Sequence, residues 1–284
     1  MKNSIALLVD SGVDLPKDIS NQAGIYEVPL NIIYKDATYI DNVTITSDEI
    51  YARLDTEIPS TSLPDGNTIH AIVEQILADG YTQAIVLTIS TGLSGTYNAL
   101  KLNLEHFPQL ETAMIDTKNI TMGAALQGVY AKELIDSGLD LATIESRLNA
   151  NIPNAKVYFS LPTLEYLKKG GRIGLVSSVI GHALNLHPVI SCNEEGVYHT
   201  VTKARGRKRS LEKMIQDAEK FVASSTLYDI GVAHSNCPED AKALMATIKE
   251  RLPHSNIFLF DQVTPALGVH VGPDGVGFAI MKRD

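Results

Sequence analysis

Short β-rich runs alternate with segments of helical period along the first 160 residues, and this alternation constrains the fold more than any other feature. Four runs have the apolar composition of buried strands, and they lie at residues 5–9, 84–89, 113–115 and 157–159. Between the first two runs, apolar residues recur at helical spacing from Ile69 to Leu77. The alternation predicts a parallel sheet flanked by helices, with ligands bound at the carboxyl ends of its strands.

The order of elements changes after residue 160. A short helix should end at Gly170-Gly171, and a hairpin, two amphipathic helices and three strands should follow, so this half reads as α+β with its helices on one face. We predict an α/β protein with an N-terminal domain at residues 1–160, a C-terminal α+β domain at residues 161–284 and a ligand tunnel between them. Two β-rich arms around Lys35-Asp36 predict a hairpin inserted at about residues 26–40.

Composition and charge exclude several classes of protein. With 44% hydrophobic and 20% charged residues, the 284-residue chain has the composition of a globular protein of about two domains. Its formal charge of -9 opposes general attraction to nucleic acid or anionic membranes. Cys192 and Cys237 have no metal-binding or disulfide spacing, and no apolar run is long enough for a signal peptide or a membrane span. We therefore expect a cytoplasmic protein that binds no nucleic acid and contacts membranes at most transiently.

The run STGLSGTY at residues 90–97 joins a predicted strand to a predicted helix. Hydroxyl groups and glycines at such a junction place hydrogen-bond donors around a helix N-terminus, where the helix dipole favours a carboxylate or a phosphate. Capping of the helix by Ser94 explains the same pattern equally well. The run is not a P-loop, because no Gly-Lys-Ser/Thr follows, and it lacks the final glycine of a nucleophile elbow.

Two further segments carry polar groups of interest. Ser60-Thr61-Ser62 lies between Pro59 and Pro64, which predicts a stiff loop, although such a loop is often merely solvated. His270 has glycines at positions 268 and 272, which allow close approach of a ligand, although a lone histidine is more often structural. A serine hydrolase with Ser94 as nucleophile and His270 as base is the alternative from another class, but the sequence shows no third member of a triad.

Several motifs together resemble the DegV family of bacterial fatty-acid-binding proteins. They occur in the same order along essentially the whole chain, as VDSGVDLP (residues 9–16), TSLP (61–64), STGLSGTY (90–97), LEYLKKGGRI (164–173), KARGR (203–207) and HVGP (270–273). The resemblance implies a non-enzymatic carrier that holds one long-chain fatty acid, needs no other cofactor or metal, and presents the acid to a separate fatty acid kinase, which makes the acyl phosphate. The carboxylate-binding residues that it implies are Thr61, Ser62, Ser94, Gly95 and His270.

Eight of the 24 basic residues fall in two short segments, residues 168–172 and 203–209. These segments are consistent with a solvated surface, with a docking face for an acidic partner or a phosphate, or with a nucleic-acid patch, which would lack interleaved aromatic residues. The resemblance places Arg172 and Arg205 on the face that meets the kinase. Small residues at 176–186 beside Val179, Ile180 and Leu184 suggest a tunnel wall, and ordinary core packing explains them equally well.

Overall fold

The computed structural model describes residues 5–179 and 186–283, without the side chains of residues 178 and 179. The strands are β1 Ile5–Asp10, β2 Ile25–Val28, β3 Asn31–Ile33, β4 Thr38–Ile40, β5 Ser60–Ser62, β6 Gln83–Thr88, β7 Glu111–Asp116, β8 Ala155–Ser160, β9 Val189–Cys192, β10 Tyr198–Thr202, β11 Tyr228–Ser235, β12 Ser255–Gln262 and β13 Gly275–Lys282. The α-helices are α1 Lys17–Ser20, α2 Ser47–Arg53, α3 Gly66–Ala78, α4 Thr96–Leu104, α5 Met122–Asp136, α6 Leu141–Asn151, α7 Glu165–Lys169, α8 Arg207–Phe221, α9 Pro238–Arg251 and α10 Pro265–Val271.

The first sheet is the predicted parallel sheet, with strand order β2-β1-β6-β7. Alternate residues of β1 pack on opposite faces, so that Leu8 lies among the apolar residues of α3 and α4, while Leu7 and Val9 lie among those of α5 and α6. Both faces of the sheet are therefore buried, which is why β1 and β6 are apolar almost throughout and lack the polar alternation of a half-exposed strand. The mixed α/β fold class predicted from the sequence is confirmed.

The inserted hairpin is shorter than the sequence suggested. β3 and β4 form it, whereas Tyr26 belongs to β2 and pairs in parallel with β1. Residues 60–62 are not the loop that their flanking prolines suggested, because they form β5 and pair antiparallel with β3, with Thr61 opposite Ile32. Neither proline lies within the three paired residues, so the free edge of β3 can accept this short strand.

The second sheet has six strands in the order β10-β9-β8-β13-β11-β12, and only its β11–β12 pair is parallel. The strand predicted at residues 157–159 lies in this sheet as β8 and not in the first one, because its neighbours are β13 and β9. The second sheet thus begins at Ala155, and the division of the chain at residue 160 stays a prediction. α8 and α9 cover one face, as expected, but α5 covers the other.

α5 belongs to both halves of the molecule, because it contacts β1 and β6 of the first sheet as well as β8, β11 and β13 of the second. The sequence did not indicate this helix, because its own residues are apolar or small on most of its surface and form no single amphipathic stripe. Close packing on the second sheet requires Gly231, where a Cβ would lie 2.9 Å from the Cβ of Met122. The two sheets therefore share one hydrophobic core around α5.

Among the described residues, no helix is both long enough and apolar enough to cross a membrane. Cys192 and Cys237 are both free thiols and both partly exposed. The described histidine, cysteine and carboxylate side chains form no group of three or more that would hold a metal ion.

Candidate functional site

A cavity of about 350 Å³ lies between the carboxyl-terminal side of the first sheet and the second sheet. The segments that follow β6 and β7 supply Ile89, Leu93 and Ile120, and α10 supplies Leu267. Phe159 and further residues of β8, β11 and β13 line the side of the second sheet. The volume falls within the range of small-molecule sites, which span roughly 300–1,000 Å³. A chain-like apolar ligand fits such walls because burial removes its hydrocarbon surface from water.

The structure brings the five candidate carboxylate-binding residues to this one cavity, and they are Thr61, Ser62, Ser94, Gly95 and His270. Three separate segments supply them, namely β5, the loop before α4, and α10. The hydroxyl oxygen of Thr61 lies 2.7 Å from Nε2 of His270, a hydrogen-bond distance between residues 209 positions apart in sequence. Their role in binding a carboxylate stays a prediction, but they form a polar group in the lining of a mainly apolar cavity.

Ser94 is not the N-cap of α4, because Gly95 occupies that position and makes no side-chain cap. The Ser94 hydroxyl lies 2.7 Å from the Oγ1 of Thr96 and accepts a hydrogen bond of 3.3 Å from the Thr96 backbone N–H. The side chain is half-buried and lines the cavity. It therefore stands beside the first turn of a nine-residue helix, where the helix dipole favours negative charge.

The imidazole of His270 is neutral near pH 7. Burial of the ring, together with the positive charge of Arg172, lowers its pKa to about 4. Nδ1 of His270 is buried without a hydrogen-bond partner among the described residues, and a Cβ at Gly170 would collide with it. Gly170, the residue that follows α7, thus makes room for the ring. A neutral imidazole still donates one hydrogen bond, so it can bind an anion without carrying charge.

We expect the ring of His270 in the ligand-free protein to titrate near pH 4, well below the 6.5 of an ordinary histidine. Between pH 6.5 and 4 the unfolded chain therefore binds more protons at this position, so its contribution to stability is complete above pH 6.5 and is lost as the pH falls. NMR titration of ¹³C-labelled histidine, assigned with His270→Gln, measures this pKa directly. A midpoint above pH 6 would contradict the burial of the ring.

Overall stability is a poor measure of this effect, because buried carboxyl groups act in the opposite direction. Burial raises the pKa of Asp10 to about 7 and that of Asp14 to about 8. These groups bind more protons in the folded state, so their contribution is present at acid pH and is lost as the pH rises through their folded values. The site-specific NMR signal separates His270 from them.

Arg172 lies at the cavity and not simply on an outer face. Its Nη1 donates a hydrogen bond of 2.7 Å to the Gly170 carbonyl, and its Nε donates one of 3.3 Å to the Leu93 carbonyl. The side chain therefore ties the turn after α7 to the loop before α4. Arg205, in contrast, is exposed, and its backbone pairs with Leu186 in an isolated antiparallel bridge. The kinase-docking role of both arginines stays a prediction.

The described geometry does not assemble a serine-hydrolase triad. Nε2 of His270 is paired with Thr61, and the hydroxyl of Ser94 is paired with Thr96. A general base of this type also needs an acceptor that orients its other nitrogen, and Nδ1 of His270 has none among the described residues. The two residues share a cavity without the hydrogen bond that would activate the serine.

Part of the cavity wall was not recognised from the sequence. Thr121 and Met122 at the start of α5, Tyr198 on β10 and Ser235 on β11 line the cavity. The polar run that follows β7 was the available signal for the first two, because it ends a strand of the parallel sheet. Of the predicted wall at residues 176–186, Val176 lies in the shared core. Residues 180–185, including Ile180 and Leu184, lie outside the described residues, as does the side chain of Val179.

The fold and the cavity define an α/β protein in which two sheets enclose a ligand-sized space. A family model described as "Uncharacterised protein, DegV family" matches residues 4–283. The chain therefore belongs to the DegV family. A DegV domain-containing protein of Clostridium acetobutylicum is 39% identical over 279 residues, which cover 98% of this chain and 99% of the relative.

Solved structures agree with this assignment. A DegV family protein from Thermus thermophilus, described by its fatty acid binding, superposes with a TM-score of 0.93 at 28% identity, covering 98% of this chain and 99% of that one. A fatty-acid-binding DegV family protein from Streptococcus agalactiae gives 0.88 at 27% identity, with 99% of both chains covered. A stearic-acid-binding protein from Eubacterium ventriosum gives 0.87 at 26% identity, with 98% of both chains covered. The predicted family is thus confirmed.

Proposed function

We propose that this protein is a carrier that binds one long-chain fatty acid in the cavity, with the carboxylate at the polar edge formed by Thr61, Ser62, Ser94, Gly95 and His270. The observation that carries the proposal is the Thr61–His270 pair in the lining of a cavity whose other walls are mainly apolar. A fatty acid has the matching arrangement of one anionic group on a long hydrocarbon chain. The fatty-acid-binding proteins of the same fold support this choice of ligand.

The site's own groups suit a carboxylate that is bound by hydrogen bonds. The hydroxyl groups of Thr61, Ser62 and Ser94 and the neutral imidazole of His270 are its available side-chain donors, and each such bond to a charged group contributes about 1.5–3 kcal/mol. Arg172 adds positive charge at the cavity without a carboxylate partner among the described residues. In this proposal the fatty acid is the ligand, no other cofactor takes part, and the carrier itself catalyses no reaction and works in the cytoplasm.

We expect the protein purified from bacteria to contain about one long-chain fatty acid per chain, because an apolar cavity of this size otherwise stays empty or holds poorly bonded water. Native mass spectrometry detects the bound mass, and solvent extraction of the denatured protein identifies the acid. Absence of any fatty acid, together with no uptake of added palmitate or oleate, would contradict the proposed function. A covalent acyl adduct on Ser94 would instead support the hydrolase.

The second part of the proposal is that a separate fatty acid kinase phosphorylates the carboxylate while the carrier holds it. The basic segments at residues 168–172 and 203–209 are suited to dock such a partner, because phosphoryl transfer concentrates negative charge on the nucleotide and the acyl phosphate. A guanidinium group binds phosphate oxygens in a bidentate manner and an ammonium does not, which favours Arg172 and Arg205 for this role.

Arg205→Ala should slow kinase-coupled acyl phosphate formation and leave fatty acid affinity unchanged, because the exposed side chain is not among those lining the cavity. Exposed charges mainly steer association, so the turnover of the unmodified protein should also fall as salt rises. Arg205→Lys should recover little of the lost rate of acyl phosphate formation, because an ammonium group does not bind phosphate in a bidentate manner. The measurement is a paired assay of lipid binding and coupled turnover at two salt concentrations, and equal turnover in all three proteins would show that this part of the surface is only solvated.

Arg172→Ala gives a second and different result in the same assay. Because its side chain bonds to the Leu93 carbonyl and lowers the pKa of His270, its removal should affect lipid binding as well as turnover. Arg205 is therefore the cleaner test of docking.

A further inference from the structure

Asp41 is a fully buried carboxylate that follows β4 and joins three segments of the chain. Its Oδ1 accepts a hydrogen bond of 2.9 Å from the backbone N–H of Ala266, and its Oδ2 accepts one of 2.7 Å from the hydroxyl of Ser11. The Ser11 oxygen in turn accepts a hydrogen bond of 3.0 Å from the backbone N–H of Leu30. One buried side chain thus connects the end of β1, the inserted hairpin and α10.

Two of these connections lead to the Thr61–His270 pair. Ala266 lies in the first turn of α10, and His270 follows one turn later on the same helix. Leu30 directly precedes β3, which pairs with β5 so that Ile32 stands opposite Thr61. The network of Asp41 and Ser11 therefore fixes both elements that carry the 2.7 Å contact between Thr61 and His270.

α10 depends on such anchoring because it has only seven residues, too few to be stable without tertiary contacts. Asp14 provides a second anchor, since its Oδ1 accepts a hydrogen bond of 3.0 Å from the N–H of Thr264 at the N-cap. Ser47 donates a hydrogen bond of 2.8 Å to the carbonyl of Val263. These two contacts position only the start of α10. The network of Asp41 also connects α10 with the inserted hairpin.

We propose that Asp41, acting with Ser11, is a positioning residue that sets the distance between Thr61 and His270 and so shapes the carboxylate-binding end of the cavity. The inference rests on the proposed function, because its consequence is measured as recognition of a fatty acid carboxylate. Binding sites of this kind need their groups held to within about 0.5 Å, and hydrogen bonds from a second layer of residues provide that constraint. Asp41 touches no ligand in this arrangement.

The test compares palmitate with hexadecanol, which has the same chain and no carboxylate. Asp41→Ala should weaken palmitate binding roughly tenfold more than hexadecanol binding, about the effect of losing one hydrogen bond to a charged group. Asp41→Asn should largely restore the ratio of the two affinities, because its amide oxygen can accept from Ala266 and its NH₂ can donate to the Ser11 oxygen. If Asp41 were needed only for stability, its replacement would leave the ratio of palmitate affinity to hexadecanol affinity unchanged in protein that remains folded.

Asp229→Ala is the matched control, because Asp229 is also a fully buried aspartate. Its partners Asn256, Ile257 and Arg283 lie on β12 and after β13 and not on the segments that carry Thr61 and His270. Its loss should lower stability and leave the palmitate-to-hexadecanol ratio unchanged. If Asp41→Ala does not fold, Ser11→Ala tests the same role. It keeps the bond from Ala266 to Asp41 and removes the side-chain link through Ser11 to the N–H of Leu30, while the backbone bond from Asp41 to the Leu30 carbonyl remains. Ser11→Ala should reduce the palmitate-to-hexadecanol ratio by a smaller factor than Asp41→Ala.

The outcomes separate this inference from the proposed function. Failure of the unmodified protein to bind palmitate would contradict the proposed function itself. Normal binding by the unmodified protein, with a ratio in folded Asp41→Ala or Ser11→Ala equal to that of the Asp229→Ala control, would overturn the positioning role alone.

Discussion

Replacement of Ser94 by alanine should weaken fatty acid binding by roughly ten- to a hundredfold while the protein stays folded. The expected loss is that of one hydrogen bond to a charged group, about 1.5–3 kcal/mol, and each 1.4 kcal/mol corresponds to a factor of ten. Ser94 is half-buried, and its removal takes a hydrogen-bond partner from the backbone N–H and the hydroxyl of buried Thr96, so circular dichroism should accompany the binding assay to show that the variant is folded. Displacement of a fluorescent fatty acid measures the affinity.

Ser60→Ala is the matched control, because Ser60 stands on the same strand as Thr61 but is exposed and is not among the residues lining the cavity. Thr61→Ala and His270→Ala should each weaken binding by a similar factor. Their effects should not add in the double variant, since the two side chains are bonded to each other before any ligand arrives. Unchanged affinity in all three single variants would remove these residues from the site.

Local patterns in the sequence marked the candidate polar residues, and the family resemblance assigned Thr61, Ser94 and His270 to one carboxylate, but neither gave the contacts between their side chains. Hydroxyl groups and glycines between β6 and α4 marked Ser94 because a strand-to-helix junction of a parallel sheet is a common ligand position. Nothing local pairs Thr61 with His270, which are 209 residues apart. Their contact follows from the pairing of β5 with β3 and from the anchoring of α10, and both are tertiary interactions.

The same distinction explains what was missed in the fold. Helices with one apolar face, such as α3 and α8, show their period in the sequence because one side of each meets water. α5 does not, because sheets cover it on two sides and eleven of its 15 residues are buried. Ser60-Thr61-Ser62 has the composition of a loop and becomes a strand because β3 offers an unpaired edge. Both elements take their structure from neighbours distant in sequence.

The position of α5 between the two sheets makes its large buried side chains sensitive to truncation. Leu126 is fully buried in the apolar cluster that contains residues of both sheets. Leu126→Ala should lower the free energy of unfolding by about 2–5 kcal/mol, because it removes buried apolar surface and leaves a cavity. Leu102→Ala on α4, where the side chain is 62% exposed, should change it by less than about 0.5 kcal/mol. Urea denaturation followed by circular dichroism measures both.

A shared core also predicts how the Leu126→Ala variant unfolds. If α5 holds the two sheets in one cooperative unit, neither half can keep its apolar face buried once the helix leaves, so both sheets should melt together in a single transition at a lower temperature. Calorimetry tests this, because the calorimetric and van't Hoff enthalpies agree for one cooperative unit. Two separate transitions in the unmodified protein would show that each sheet is stable without the other. The cavity between the sheets would then lie between independent domains, and its walls would move with them.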